Sequence, residues 1–211
     1  MNAHVGQPVL QHGEAPENAR AGLIMLHGRG ASAESILGLT EVLDTEGLTL
    51  HAPQAEGSVW YPQSFLAPRE ANQEGIDGAF AVIRTLVDEL VAAGIPKERI
   101  MLLGFSQGAC LATDFLYHHP EPYGAVFALS GGLIGPPGTT WEDRTGLAGT
   151  RAFVGCSDTD PFIPAERVRE THETLQRAGA ASTLKLYPGM PHTVNEDEVS
   201  HMNEMISAVR G

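Results

Sequence analysis

A serine held between two glycines, in Gly104-Phe105-Ser106-Gln107-Gly108, is the residue best suited to covalent chemistry in this chain. The pattern G-x-S-x-G follows an apolar strand-like run, Ile100–Phe105, and precedes helical periodicity. In that setting it describes a turn so sharp that residues without a Cβ are required on either side, leaving the serine hydroxyl exposed. The N-terminus of the helix that follows favours developing negative charge. In a chain with 24 glycines the pentapeptide alone carries little weight. Its place between a strand and a helix is what makes Ser106 a candidate nucleophile.

A hydroxyl is a weak nucleophile until a base takes its proton, and an acid must fix the tautomer of that base. With a nucleophile turn of this kind the chain order is serine, acid, histidine. Two acids follow Ser106 at the end of a strand-like run: Asp158 and Asp160, in Gly155-Cys156-Ser157-Asp158-Thr159-Asp160-Pro161-Phe162-Ile163-Pro164. Spacing does not separate them, since Asp158 reads equally well as a turn residue bonded to nearby backbone N–H groups. Of nine histidines, only His192 follows the last strand on a loop rich in glycine and proline, Tyr187–Thr193. His118 and His119 close the helix after Ser106, where they favour its negative end. His172 and His201 lie on later helices as solvated or packing residues, His4, His12 and His51 precede the nucleophile, and His27 braces its own loop.

Acyl transfer develops an oxyanion that two preorganised N–H donors stabilise. Gln107, next to the nucleophile, supplies one through its main chain. The second belongs to the loop after an early strand, here Leu26-His27-Gly28-Arg29-Gly30, with Arg29 donating through its backbone. The Arg29 side chain is then open to two readings, a solvated arginine or a guanidinium that binds a carboxylate on the substrate.

These residues need a scaffold. Strand-like runs at Gly22–His27, Leu48–Ala52, Ile100–Phe105, Ala125–Ser130, Ala152–Cys156 and Thr183–Tyr187 are short and largely uncharged, as strands buried on both faces are. Helical periodicity separates them at Ser32–Asp44, about Asn72–Ala93, Gln107–His119, Pro164–Ala178 and Glu196–Val209. The second of these carries one apolar stripe of Ile76, Phe80, Ile83, Val87 and Leu90. The alternation predicts a mostly parallel sheet in a single α/β domain over residues 1–211. Two long loops, Gln54–Ala71 and Gly131–Gly149, fall at the carboxyl edge, where open α/β sheets bind ligands. Trp60, Tyr61, Phe65 and Leu66 on the first, Leu133, Ile134 and Trp141 on the second, and Phe162 and Met190 near the triad are candidates to line the acyl and alcohol pockets.

Composition excludes several alternatives. The net charge of −13 argues against nucleic acid and anionic membrane surfaces, which need clustered lysine and arginine. It reflects solubility or a salty habitat and names no substrate. Cys110 and Cys156 are too few and too isolated for a disulfide framework or a zinc site. The N-terminus shows no basic patch followed by an apolar run, and no apolar stretch is long enough to span a bilayer. The cytoplasm is therefore the expected location.

Taken together, Leu26–Gly30, Trp60-Tyr61, Gly94-Ile95-Pro96 before Arg99-Ile100, Gly104–Gly108, Leu129-Ser130-Gly131, Asp158–Pro164 and Gly189–His192 resemble the bacterial phospholipase/carboxylesterase family, whose eukaryotic relatives are the acyl-protein thioesterases. The likeness extends over nearly the whole chain. It implies an α/β-hydrolase fold, helices on both faces of the sheet, a minimal lid or none, and a shallow site. It also implies that the acid is the aspartate directly before proline, Asp160, and that the oxyanion donors are the main-chain N–H groups of Arg29 and Gln107. The implied activity is hydrolysis of short- to medium-chain carboxylic esters by a Ser106-His192-Asp160 triad, with no metal or organic cofactor and with a small-molecule ester as partner. Family members can form dimers, so a homodimer is within range. The same machinery serves thioesters, and a binding protein that keeps the fold is the remaining alternative, although every expected catalytic position is filled.

Overall fold

The six short runs and one further edge strand assemble into one sheet of seven strands. The computed structural model describes residues 3–211. Its strands are β1 Val9–Gly13, β2 Ala21–Leu26, β3 Leu48–Pro53, β4 Ile100–Phe105, β5 Ala125–Leu129, β6 Arg151–Ser157 and β7 Ala181–Tyr187. They lie in the order β1-β3-β2-β4-β5-β6-β7, with β1 antiparallel to β3 and the other neighbours parallel. Every residue of β2, β3 and β5 is buried, which explains the continuous apolar character of β2 and β5; β3 buries Thr49 and His51 among its apolar residues. Strand β1 has no counterpart among the runs read from the sequence. It is an edge strand whose Gln11, His12 and Gly13 are exposed, so it carries no apolar signal.

Side chains alternate across the sheet, and each face has its own core. Ile24, Leu26, Leu102, Val126 and Val154 pack under α2 (Gln73–Ala92), α3 (Gln107–His118) and α4 (Ala165–Arg177). Leu23, Met25, Met101, Leu103, Phe127 and Phe153 pack under α1 (Ala33–Leu37) and α5 (Glu196–Arg210). A fully buried aliphatic or aromatic side chain contributes roughly 1.5–3 kcal/mol, whereas an exposed ion pair such as Arg20–Glu46 is worth about 0–1 kcal/mol. The two cores therefore hold the sheet together. The stripe on α2 is buried as its periodicity requires.

The helix expected over Ser32–Asp44 is shorter than its apolar pattern suggested. It ends at Leu37, Gly38 caps it, and a 3-10 turn covers Gly38–Glu41. Glycine is a poor helix former, and the break falls where it occurs.

The chain leaves β2 for β3 on one side of the sheet and then returns to β4 on the other. The strand order therefore diverges between β2 and β4, and a crevice opens beyond their carboxyl ends. The loops after β2 and β4 carry Arg29 and Ser106. Among the described residues no helix is long and apolar enough to cross a membrane.

Candidate active site

Ser106 sits at the tip of β4 with φ 54° and ψ −116°, a conformation costly for any residue with a side chain. The surroundings enforce it. A Cβ on Gly104 would lie 2.2 Å from the Gly108 carbonyl, and one on Gly108 would lie 2.1 Å from the Leu26 carbonyl oxygen. Strand and helix therefore meet at a distance only glycine permits. The Ser106 N–H donates to the Leu129 carbonyl at 2.9 Å, tying the turn to β5. The Gln107 side chain braces the other side, accepting from Trp60 N–H at 2.9 Å and donating to the Tyr61 carbonyl at 2.8 Å.

Asp160 and His192 meet across two loops. His192 Nδ1 lies 2.7 Å from Asp160 Oδ2, and the carboxylate is fully buried. Asp160 Oδ1 accepts the N–H groups of Phe162 and Ile163 at 2.9 and 3.0 Å. Burial acts to raise the Asp160 pKa, but these hydrogen bonds outweigh it and hold the carboxyl below its ordinary value. Asp160 is therefore ionised at neutral pH, fixes the proton of His192 on Nδ1 and leaves Nε2 as acceptor. His192 and Ser106 line the same cavity. No hydrogen bond joins the Ser106 hydroxyl to His192 in this structure; such contacts commonly tighten only with substrate bound.

Asp158 has a different task. Its Oδ1 accepts the Gly189 N–H at 2.8 Å, bracing the loop that carries His192. The two aspartates that spacing left equivalent are thus separated by their partners.

The loop after β2 is built around His27. Its Nδ1 donates to the Gly28 carbonyl at 2.7 Å, its Nε2 accepts the Ala55 N–H at 3.1 Å, and Trp60 Nε1 donates to its carbonyl at 2.9 Å. Burial lowers its pKa, so it is a neutral strut. Gly30 N–H donates to Ser58 and Ala31 N–H to Gly28, whereas the Arg29 N–H has no protein acceptor among the described residues. Gln107 opens α3, where a first-turn N–H has no partner within the helix. Both residues line the cavity beside Ser106. Two uncommitted donors next to a strained serine and a carboxylate-bound histidine make an arrangement suited to acyl transfer.

Residues 7–210 match the family model described as phospholipase/carboxylesterase. The chain belongs to that family. It is similar to the phospholipase/carboxylesterase of Dyadobacter fermentans, whose crystal structure superposes with a TM-score of 0.91 at 36% identity, over 98% of this chain and 99% of that one. Acyl-protein thioesterase 1 of Kluyveromyces lactis is 29% identical, covering 88% of this chain and 90% of that protein. Acyl-protein thioesterase 1 of Eremothecium gossypii is 29% identical over 147 residues, 67% of this chain, and the match spans only 61% of that protein's length. As a member of this family the protein is an enzyme, a hydrolase of the serine type on an α/β-hydrolase fold.

In this family member the cavity beside Ser106 has a volume of about 440 Å³. Of the candidate pocket residues, Tyr61, Phe65 and Phe162 line it. Trp60, Leu66, Leu133, Ile134 and Met190 do not. Trp60 is fully buried, its ring packed on His27 and its indole N–H committed to the loop. Leu66 packs, partly buried, against the core under α2 and α3. Leu133 and Ile134 are drawn into the core because Arg167 donates to the carbonyls of Leu133 and Gly135, both at 2.7 Å, and Asp114 accepts the Ile134 N–H. Met190 turns toward Asn195, whose side-chain N–H lies 2.8 Å from its sulfur. Trp141 packs against Tyr117 and beneath the Arg167 guanidinium. Ser64, Phe105, Cys110 and Ile163 line the cavity without having been singled out. Phe105 and Cys110 flank the serine on β4 and α3, and a one-turn offset from Ser106 along α3 was the available signal for Cys110.

The other histidines lie elsewhere. His118 carries no charge to stabilise a helix end: burial, with Arg69 and Arg144 nearby, lowers its pKa to about 4. His119 is lowered in the same direction by burial and Arg84. His172 pairs with Ser182, and His201 stacks on Phe153. Among the described residues, no three His, Cys, Asp or Glu side chains gather as metal ligands would.

Helix α5 anchors the His192 loop through a capping box between Asn195 and Glu198. Glu198 is fully buried, its Oε2 accepts the Asn195 N–H, and its Oε1 has no partner among the described residues. Burial raises its pKa from 4.5 to about 7. The folded state therefore binds a proton more tightly than the unfolded chain, and stability falls as pH rises from 4.5 to 7. Glu198→Gln keeps the acceptor and removes the ionisation. Its stability should gain on wild type steadily across that window, by roughly 3 kcal/mol in all, read as melting temperatures that diverge as pH rises. Parallel curves of melting temperature against pH for the two proteins would show that Glu198 is not the group responsible.

Proposed function

We propose that this enzyme is a carboxylesterase for short- to medium-chain esters, with Ser106 as nucleophile, His192 as base and Asp160 as the orienting acid. The observation that carries the reading is the Asp160–His192 pair at 2.7 Å, its carboxylate buried and its imidazole partly exposed, with His192 on the cavity that also holds the strained Ser106. Ser106 Oγ attacks the ester carbonyl carbon while its proton passes to His192 Nε2. The carbonyl oxygen becomes an oxyanion facing the Arg29 and Gln107 N–H groups. His192 returns the proton to the departing alcohol as the C–O bond breaks, leaving an acyl-enzyme. Water, deprotonated by His192, then attacks the acyl carbon, and Ser106 leaves with the proton restored. Ionised Asp160 stabilises the imidazolium in both halves.

Chain length follows from the walls. Phe65, Cys110 and Ile163 bound a cavity of about 440 Å³, toward the lower end of the range for small-molecule sites. The Arg167 clamp pulls Leu133 and Ile134 into the core, so the second long loop lends no apolar extension. On p-nitrophenyl acetate, butyrate, octanoate and palmitate, kcat/KM should peak at butyrate or octanoate and fall at least about tenfold at palmitate, one methylene being worth ~1–3 kcal/mol where the pocket can hold it. A maximum at palmitate would overturn the chain-length reading.

The similarity to acyl-protein thioesterases supports a second reading, hydrolysis of thioesters by the same groups. Matched butyryl ester and butyryl thioester substrates decide between them through their relative kcat/KM.

A further inference from the structure

The cavity beside Ser106 is lined by no aspartate or glutamate, although the chain as a whole carries a net charge of −13. Its one lining residue with a permanent positive charge is Arg29. That side chain is not simply solvated. Nη2 donates to the carbonyls of Tyr61 and Gln63, both at 2.7 Å, and Nη1 donates to that of Pro62 at 3.1 Å. The guanidinium also lies 5.9 Å from the centre of the Tyr61 ring. Arg29 is exposed, and the three carbonyls it holds lie between Tyr61 and Ser64, which both line the cavity, so the cation sits on the loop that forms the cavity's solvent-facing rim.

Three carbonyls orient a guanidinium without neutralising it. Arg29 has no carboxylate partner among the described residues, unlike Arg69, Arg167 and Arg210, each of which is paired with an acid. A guanidinium has five N–H donors, so those on Nε and one on Nη1 remain uncommitted. A cation fixed in advance loses little conformational entropy when it receives an anion, and the resulting hydrogen bond is charge-assisted.

We propose that Arg29 selects esters bearing a second, ionised carboxylate, so that the preferred substrates are half-esters of short dicarboxylic acids or acylated hydroxy acids. The inference rests on the esterase reading and adds to it the charge of the substrate. Two pairs of substrates test it and separate the two sources of the carboxylate. Monoethyl glutarate against ethyl pentanoate places the charge in the acyl half; 4-acetoxybutanoate against butyl acetate places it in the alcohol half. In each pair a carboxylate replaces a terminal methyl.

In at least one pair, Arg29→Gln should lower kcat/KM for the anionic ester by about tenfold or more beyond its effect on the neutral one, the scale of one hydrogen bond to a charged group. Arg29→Lys, which keeps the charge, should retain more of the preference. Higher salt should narrow the wild-type ratio through screening. Equal losses within both pairs would reduce Arg29 to a loop brace and overturn the proposal. So would a wild-type enzyme that disfavours both anionic esters by tenfold or more. In either case turnover of the neutral esters leaves the esterase reading standing, whereas no turnover of any of the four overturns both. If Arg29→Gln does not fold, wild type decides alone: glutarate should inhibit butyl acetate hydrolysis competitively and less strongly at high salt, and absence of inhibition overturns the proposal.

Discussion

Ser106→Ala is expected to lower kcat on p-nitrophenyl butyrate by about a million-fold, the scale seen when a triad nucleophile is removed. The fold should survive the change. Ser106 holds φ 54°, and alanine meets the same backbone cost with a smaller side chain. The turn is set by the close contacts of Gly104 and Gly108 rather than by the hydroxyl. Residual turnover should then come only from the oxyanion donors and from substrate binding. Circular dichroism and melting temperature should match wild type, so a lost activity cannot be laid to unfolding. Activity undiminished in the variant would remove Ser106 from the chemistry.

The second large effect is expected at Asp160. Asp160→Asn should cost roughly 10⁴-fold in kcat, for a reason visible in its partners. Oδ1 accepts two backbone N–H groups, from Phe162 and Ile163. An asparagine must keep its oxygen on those donors, which turns its amide nitrogen toward His192 Nδ1. The imidazole is then forced into the other tautomer, with its proton on Nε2, and cannot accept from Ser106. Asp158→Asn is the control. It retains an oxygen for the Gly189 N–H and should change kcat by no more than about twofold, equivalent to ~0.5 kcal/mol. Equal losses from the two substitutions would mean that the orienting acid is misassigned.

The depressed pKa of Asp160 also has a sign in stability. Its folded pKa lies below the unfolded value, so its contribution is present above the ordinary carboxylate pKa and is lost as pH falls through the folded one. That is opposite in direction to Glu198, whose burial penalises the ionised form.

Strands β2 and β4, which lead into the loops of Arg29 and Ser106, were legible because they are buried almost throughout and read as unbroken apolar runs. Ser106 was legible for a related reason, since its turn admits only glycine at two fixed neighbours. What escaped notice obeys weaker constraints. Strand β1 is an edge with a polar half, and its pairing with β3 depends on backbone groups that composition does not record. The pocket was read from large apolar residues on the edge loops, yet size and loop position do not decide which way a side chain turns. Leu133 and Ile134 point into the core because of Arg167 and Asp114, residues on helices distant in sequence. Trp60 is consumed by the support of the loop after β2. The distinction between Asp158 and Asp160 likewise rests on which backbone N–H groups face each carboxylate, a tertiary fact that spacing alone does not hold.

The most direct test of the account is to treat the enzyme with a fluorophosphonate, which phosphonylates an activated serine, and to locate the adduct by mass spectrometry of peptides. The expected result is a single adduct on Ser106, formed in step with loss of esterase activity, strongly slowed in Asp160→Asn and absent in Ser106→Ala. An adduct on another residue, or full inactivation of Ser106→Ala, would contradict the assignment of Ser106 as the nucleophile.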